Sequence, residues 1–158
     1  MREDKMTQYK AAPFNALKIG VRKIDRHEFA DGEWTLKLQW YLKFVVGFGI
    51  LDYLYVNSEG DRWWMDVECG KGFATVQIHC FDGQNDIDYF YLNPAHEDDM
   101  TEVEVGGGYA RKCGCCTSKK LLFRIIKAFL MGGRPYGGCK WHKFTHDNPH
   151  GEVIEWRD

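Results

Sequence analysis

The chain has 158 residues, of which 44% are hydrophobic and 15% aromatic, with a formal net charge of −2. This composition supplies one hydrophobic core and excludes an intrinsically disordered protein. The charged start, residues 1–5, lacks the apolar segment of a secretory signal, and the longest strongly apolar run, 44–51, is too short to span a bilayer. We therefore expect a single globular domain over residues 1–158, flexible at 1–12, that stays in the cytoplasm with its six cysteines reduced.

The first thirty residues are polar and weakly patterned apart from one alternating segment. Leu17, Ile19 and Val21 alternate with polar residues or glycine, which predicts a first strand with one buried face. The apolar residues that follow fit two patterns, because 34–40 alternates like a strand whereas 38–45 has helical spacing. We interpret 34–46 as a helix.

A run of strand patterns occupies the middle of the chain. Aromatic and β-branched residues recur over 50–57, 62–69, 73–81, 87–92 and 101–105, separated by short turns that contain Gly, Asn or Asp. Short strands joined in this way predict an antiparallel meander. The three glycines 106–108 predict a tight hairpin into the next strand, and 138–144 and 152–156 are two further short strands.

The clearest element is a helix over 118–131. Its apolar residues form one broad stripe and comprise Leu121, Leu122, Ile125, Ile126, Phe129 and Leu130. Thr117 or Ser118 can cap the start, and the glycines 132–133 with Pro135 end the helix. The stripe must be buried against a sheet, so we predict an α+β fold in which an antiparallel meander carries this helix and the N-terminal helix.

The cysteines allow a zinc hypothesis. The candidate ligands are Cys113, Cys115, Cys116, Cys139, His142 and His146. Zinc requires four such ligands in a tetrahedron, but the CxCC spacing is not the usual CxxC knuckle. One interpretation is a group of small buried thiols. The other is a zinc-binding module that would contact nucleic acid through a basic set comprising Lys112, Lys119, Lys120, Arg124 and Lys127.

Recognisable catalytic motifs are missing from the sequence. It contains no nucleophile elbow, phosphate-binding loop, zinc-protease helix or dinucleotide fingerprint, and most of its histidines are scattered. We therefore expect a protein that is not an enzyme and needs no cofactor.

An acidic block is the main candidate for binding a partner. Residues 81–110 hold eight Asp and Glu side chains and no Lys or Arg. The predicted contact residues of this block are Asp86, Asp88, Glu97, Asp98, Asp99 and Glu102. Trp63 and Trp64 must point to opposite faces of a strand, and an exposed tryptophan is a typical interface anchor, so we add Trp63 to the predicted contacts.

The segment from Thr117 to Trp141 resembles the C-terminal hallmark of a known family. It combines a Ser/Thr-started amphipathic helix, Phe129 near the helix end, the sequence Gly-Gly-Arg-Pro and a strand that contains Trp141. This pattern resembles the first large immunity-protein family of bacterial polymorphic-toxin systems. The resemblance implies binding and neutralisation of a cognate toxin domain, often a deaminase or nuclease, with no direct contact to nucleic acid or membrane. An acidic surface would suit the basic cleft of such a toxin.

Overall fold

The computed structural model describes residues 14–21, 25–32, 36–57, 62–81, 83–132 and 135–155. Within these ranges the strands are β1 (Phe14–Val21), β2 (Asp25–Gly32), β3 (Leu51–Asn57), β4 (Trp63–Cys69), β5 (Ala74–Phe81), β6 (Asp86–Leu92), β7 (Glu102–Val105), β8 (Gly108–Arg111), β9 (Lys140–Thr145) and β10 (Glu152–Glu155). The helices are α1 (Leu36–Gly47) and α2 (Lys119–Gly132), and short 3-10 turns span Pro94–His96 and Lys112–Gly114. The segment 1–12, predicted to be flexible, lies outside the described residues.

Eight of the strands form one antiparallel sheet in the order β10-β9-β6-β5-β4-β3-β1-β2. Strands β3 to β6 are a simple meander at its centre, and β7 and β8 form a separate hairpin. The prediction of an α+β fold built on an antiparallel meander is confirmed. Neither α1 nor α2 is long and apolar enough to cross a membrane.

The alternation of residues along the central strands sets the two faces of the sheet. On β5, Ala74, Val76, Ile78 and Cys80 are buried, whereas the side chains between them are half-buried. Successive side chains of a strand point to opposite faces, so one face packs into the core and the other does not.

Helix α2 packs its predicted stripe into the core. Ile125 and Ile126 are fully buried, and Phe129 and Leu130 are nearly so. The Ser118 hydroxyl accepts a hydrogen bond from the backbone N–H of Leu121 at 3.2 Å, which caps the first turn. The helix bounds differ from the predicted 118–131 by one residue at each end.

Helix α1 is apolar on both its inner and outer sides. Leu38, Leu42, Val45 and Val46 are buried with α2 and the sheet in one core cluster, so the helical interpretation of this segment is confirmed. The predicted start at residue 34 lies outside the described residues.

Strand β2 was not predicted. It pairs with β1 from Gly32↔Phe14 to Asp25↔Val21, although its sequence, Asp-Arg-His-Glu-Phe-Ala-Asp-Gly, has no apolar alternation. It forms the edge of the sheet, where backbone pairing to one neighbour suffices without a fully apolar face.

Candidate binding face of the sheet

The two helices pack against one face of the sheet, and within the described ranges no α-helix packs on the other. We call this second surface the open face. Cross-strand register places on it, among others, Lys18, Tyr55, Trp64, Asp66, Glu68, Gln77, His79, Asp86, Asp88, Phe90, Lys140, His142 and Phe144. Each alternates with a residue of the core face, so the meander itself brings them together.

One row of side chains crosses the middle of the open face. Trp64 on β4 pairs with His79 on β5, His79 pairs with Asp88 on β6, and Asp88 pairs with Phe144 on β9. Directly opposed residues have Cβ atoms about 5 Å apart, which lets their side chains touch. The row therefore joins an indole, an imidazole, a carboxylate and a phenyl ring across four strands.

Trp64 is held in place by ring contacts on both sides. Its ring lies parallel to the His79 ring, with centroids 5.1 Å apart and an interplanar angle of 8°. The Tyr55 ring lies 6.3 Å away on the other side. Aromatic pairs contribute about 0.5–1.5 kcal/mol beyond their buried area, so these contacts favour one orientation of the Trp64 ring before a partner binds.

His79 lies between two carboxylates. Its Nδ1 is 2.9 Å from Oδ1 of Asp88, and its Nε2 is 3.2 Å from Oδ1 of Asp86. Gln77 also donates to Asp88 Oδ1 at 3.4 Å. A protonated imidazole can donate to both carboxylates at once, whereas a neutral one can donate only to one.

A second aromatic group lies beside this row. Phe90 packs edge-on against Phe144 with centroids 5.6 Å apart, and His142 lies 4.2 Å from Phe144. Phe90 remains 39% exposed. A large apolar ring left exposed on a sheet face is a typical anchor for another protein.

Asp66 and Glu68 give the open face an unneutralised acidic pair. Burial raises the pKa of Asp66, and burial together with the nearby Asp66 charge raises the pKa of Glu68. Among the described residues neither carboxylate has a Lys, Arg or His within ion-pair distance. The ionised pair is therefore poorly compensated in the free protein.

The acidic residues predicted to bind a partner fall into two separate groups. Asp86 and Asp88 lie on β6 within the open face, and the other members are Glu97, Asp98 and Asp99, which follow the turn Pro94–His96, and Glu102, which begins β7. The length of β6, roughly 20 Å, separates Asp86 from the second group. The structure therefore does not gather the acidic block into one surface.

Positively charged residues lie beside the second acidic group, although residues 81–110 themselves contain no Lys or Arg. Glu102 is the cross-strand partner of Arg111. Hydrogen bonds from Thr101 lower the pKa of Asp99, with a smaller effect from the Lys112 charge. Arg111 and Lys112 therefore place positive charge beside this second acidic group.

Trp63, the tryptophan predicted to contact a partner, lies on the core side of β4. It shares the parity of the fully buried Met65 and Val67 and packs against the hydrophobic core. Trp64, with the parity of Asp66, lies on the open face. The polar residues that follow Trp64 at every second position were the sequence signal for this choice.

The cysteines of the CxCC run form a structural junction. Cys116 pairs by backbone hydrogen bonds with Ala74 on β5, and the buried Asn93 side chain donates to the carbonyl of Cys115 at 2.8 Å. The thiols of Cys115 and Cys116 donate to backbone carbonyls at 3.3 and 3.4 Å. Burial raises the pKa of Cys115 to about 11, so its thiol stays protonated at neutral pH.

The proposed zinc ligands are divided between the two sides of the sheet. Cys139 packs against the core, and burial raises the pKa of its thiol to about 12, whereas His142 lies on the open face beside Phe144. In the part of the chain that the structure describes, no group of three or more His, Cys, Asp or Glu side chains is arranged to hold a metal ion. The geometry gives the zinc hypothesis no support.

A cleft of about 290 Å³ lies at the start of α2. It is lined by Thr117, Ser118, Cys139 and Lys140, among others. The described side-chain contacts of His79 are two carboxylates and an indole, and none is a hydroxyl or thiol that this histidine could activate. Comparison with known proteins adds no constraint, since no family model, curated protein or solved structure matches the chain.

Proposed function

We propose that this protein works by binding a protein partner through the open face, and that it is an immunity protein that neutralises a cognate bacterial toxin domain. The observation that carries the proposal is the open face itself, where ordered aromatic rings and uncompensated carboxylates lie together on a sheet surface that no described helix covers. It is not an enzyme and uses no cofactor.

The side-chain types on the open face favour a protein partner. Tyrosine, tryptophan and phenylalanine are enriched at protein interfaces, and Tyr55, Trp64 and Phe90 supply all three. Asp66 and Glu68, which lack a described cation, would gain one from Arg or Lys of the partner. Such pairs raise association rates and select against acidic partners.

The carboxylates of the open face favour a basic protein as the partner. Carboxylates at Asp66, Glu68, Asp86 and Asp88 repel phosphate, so direct binding of nucleic acid at this face is disfavoured. They suit instead a protein whose own site is basic because it acts on nucleic acid. This chemistry agrees with the resemblance of the segment Thr117–Trp141 to immunity proteins.

The decisive experiment is co-expression with the product of the adjacent gene in a bacterial host. We expect that product to stop growth when expressed alone and to be harmless when this chain is present. The Trp64→Ala variant should protect poorly, whereas Tyr109→Ala should protect fully, because Tyr109 is 75% exposed but belongs to the separate β7–β8 hairpin. A neighbour that is harmless alone, or that remains toxic beside the wild-type chain, would contradict the proposal.

A further inference from the structure

The outer side of α1 carries a row of large apolar side chains that the proposed function does not use. Leu36 is 69% exposed, Trp40 65%, Phe44 54% and Phe48, just after the helix, 69%. We call these four residues the α1 ridge. Single exposed apolar residues are ordinary on protein surfaces, whereas a contiguous row of this size marks a contact site.

Lysines flank the ridge on both sides. At about 100° per residue, Leu36, Trp40 and Phe44 occupy roughly 80° of the helix circumference, with Lys43 about 20° beyond one margin and Lys37 about 20° beyond the other. Lys43 Nζ lies 5.9 Å from the Trp40 ring. The apolar centre is therefore bordered by two long cationic side chains.

Both helices carry only basic charged residues. The sequences of α1 and α2 contain no Asp or Glu, and their cations are Lys37, Lys43, Lys119, Lys120, Arg124 and Lys127. Lys119 reaches across to the end of α1, where its Nζ lies close to Gly49. The open face, on the other side of the sheet, carries Asp66, Glu68, Asp86 and Asp88 beside Lys18 and Lys140, so the helices are the more basic side.

We propose that the α1 ridge is a peripheral membrane-contact site, which inserts its apolar side chains into a bilayer surface that contains anionic lipid. Helices that lie in a membrane interface bury Trp, Phe and Leu about 5–10 Å deep, while lysines at the margins extend to the headgroups. The ridge and its flanking lysines have this arrangement, and the basic helical side complements anionic headgroups. This surface contact departs from the expectation of no membrane contact in the sequence analysis, and it needs no membrane-spanning segment.

The other possible occupants fit the ridge less well. A second copy of the chain would bring two sets of cations together without a carboxylate from either helix. A protein groove is disfavoured because lysine is depleted at protein interfaces, and five of the six helix cations are lysine. Nucleic acid would satisfy the lysines, but it offers Leu36 and Phe44 no apolar environment. Membrane contact through α1 also leaves the open face directed away from the bilayer and accessible to a protein partner.

The test is co-sedimentation of the full chain with vesicles of phosphatidylcholine alone and of phosphatidylcholine with about 30% phosphatidylglycerol, an anionic lipid. We expect binding to the anionic vesicles that falls at least about tenfold in the double variant Trp40→Gln/Phe44→Gln, because two insertion anchors are lost. Lys37→Gln and Lys43→Gln should each weaken it about fivefold. The matched control is Tyr109→Gln, which removes an exposed aromatic ring from β8 and should bind like the wild type. Circular dichroism and thermal unfolding would verify that every variant is folded.

A second readout locates the contact at the ridge. Lipids brominated in the acyl chains should quench part of the tryptophan fluorescence of the wild type, and Trp40→Phe should still bind but lose most of that quenching. Three results would overturn the proposal. The wild-type protein would bind neither kind of vesicle, or the ridge variants would bind vesicles as well as the control does. In the third, substitutions in the ridge would abolish a concentration-dependent dimer or oligonucleotide binding and leave vesicle binding unaffected. None of these measurements involves the toxin, so the proposed function can stand or fall separately.

Discussion

Two adjacent tryptophans allow the open face to be tested by a single pair of substitutions. Trp63 packs against the core and Trp64 stacks on His79, although they are neighbours in the sequence. Truncation of either to alanine removes the same atoms. Both variants should lose some stability, but only Trp64→Ala should also lose affinity for the partner.

The structure sets the size of each effect. A fully buried tryptophan costs about 3–5 kcal/mol when truncated, so half-buried Trp63 should cost about 2–3 kcal/mol in the free energy of unfolding. Trp64 makes two ring contacts, to His79 and Tyr55, worth about 0.5–1.5 kcal/mol each, so its loss should cost about 1–3 kcal/mol. In binding, loss of a central aromatic anchor costs about 2 kcal/mol or more, roughly a thirtyfold rise in Kd.

The assay is urea unfolding of both variants, followed by surface-based kinetics with the purified partner at a temperature where both are folded. Trp64→Ala should dissociate roughly thirty times faster, in line with the 2 kcal/mol expected for an anchor, whereas Trp63→Ala should change Kd less than about twofold. Equal loss of affinity in the two variants would refute the assignment of the open face as the interface, and a larger loss with Trp63→Ala would restore the tryptophan first predicted from the sequence.

Three further predictions concern charge and the cysteines. Burial raises the pKa of Asp66 above its ordinary 3.8, so its stabilising contribution is complete below that pH and is lost as pH rises through the raised pKa. Asp66→Asn should therefore increase the free energy of unfolding at pH 7 but not near pH 3, and urea titrations that show no gain at pH 7 would contradict this. Reversal of Glu97 and Asp98 to lysine should slow association at low salt and leave the fold intact, because exposed charges act mainly on the encounter rate; an unchanged association rate would make this group a solvated surface only. Burial raises the pKa of Cys115 to about 11 and that of Cys139 to about 12, so iodoacetamide at pH 8 should label both thiols slowly in the native protein and fully in urea. Mass spectrometry would measure the labelling, and rapid labelling of the native protein would show that the thiols are not packed as described.

The sequence predicts most of this fold because its elements have strong local patterns. Helix α2 has one apolar stripe, a serine cap and a glycine stop, and β5 alternates without a break, so both were found within a residue or two. Strand β2 was missed because its pairing to β1 depends on backbone hydrogen bonds, which leave no apolar pattern in the side chains.

The candidate site was harder to predict because it depends on register between distant strands. Asp86 and Glu97 are close in the sequence and were grouped for that reason, yet the length of β6 separates them. His79, which pairs with Asp88, and Trp64, which pairs with His79, come from two other strands. The presence of Arg111 opposite Glu102 likewise follows from the β7–β8 hairpin. The alternation of polar and apolar residues along β4 was the one local signal available in the sequence. It predicts that Trp64, rather than Trp63, lies on the open face.

The strand order also determines how a partner can be recognised. Within the described residues the sheet ends at β10, which has four residues and begins and ends with glutamate, and at β2, where five of eight residues are ionisable. Short or charged edge strands resist the addition of a further strand from another chain. Docking by shared backbone hydrogen bonds is thereby discouraged, and recognition depends on side chains that project from the face. Because those side chains alternate with the core residues, they can be replaced without disturbing the packing beneath, and one scaffold can acquire new partners through substitutions on a single surface.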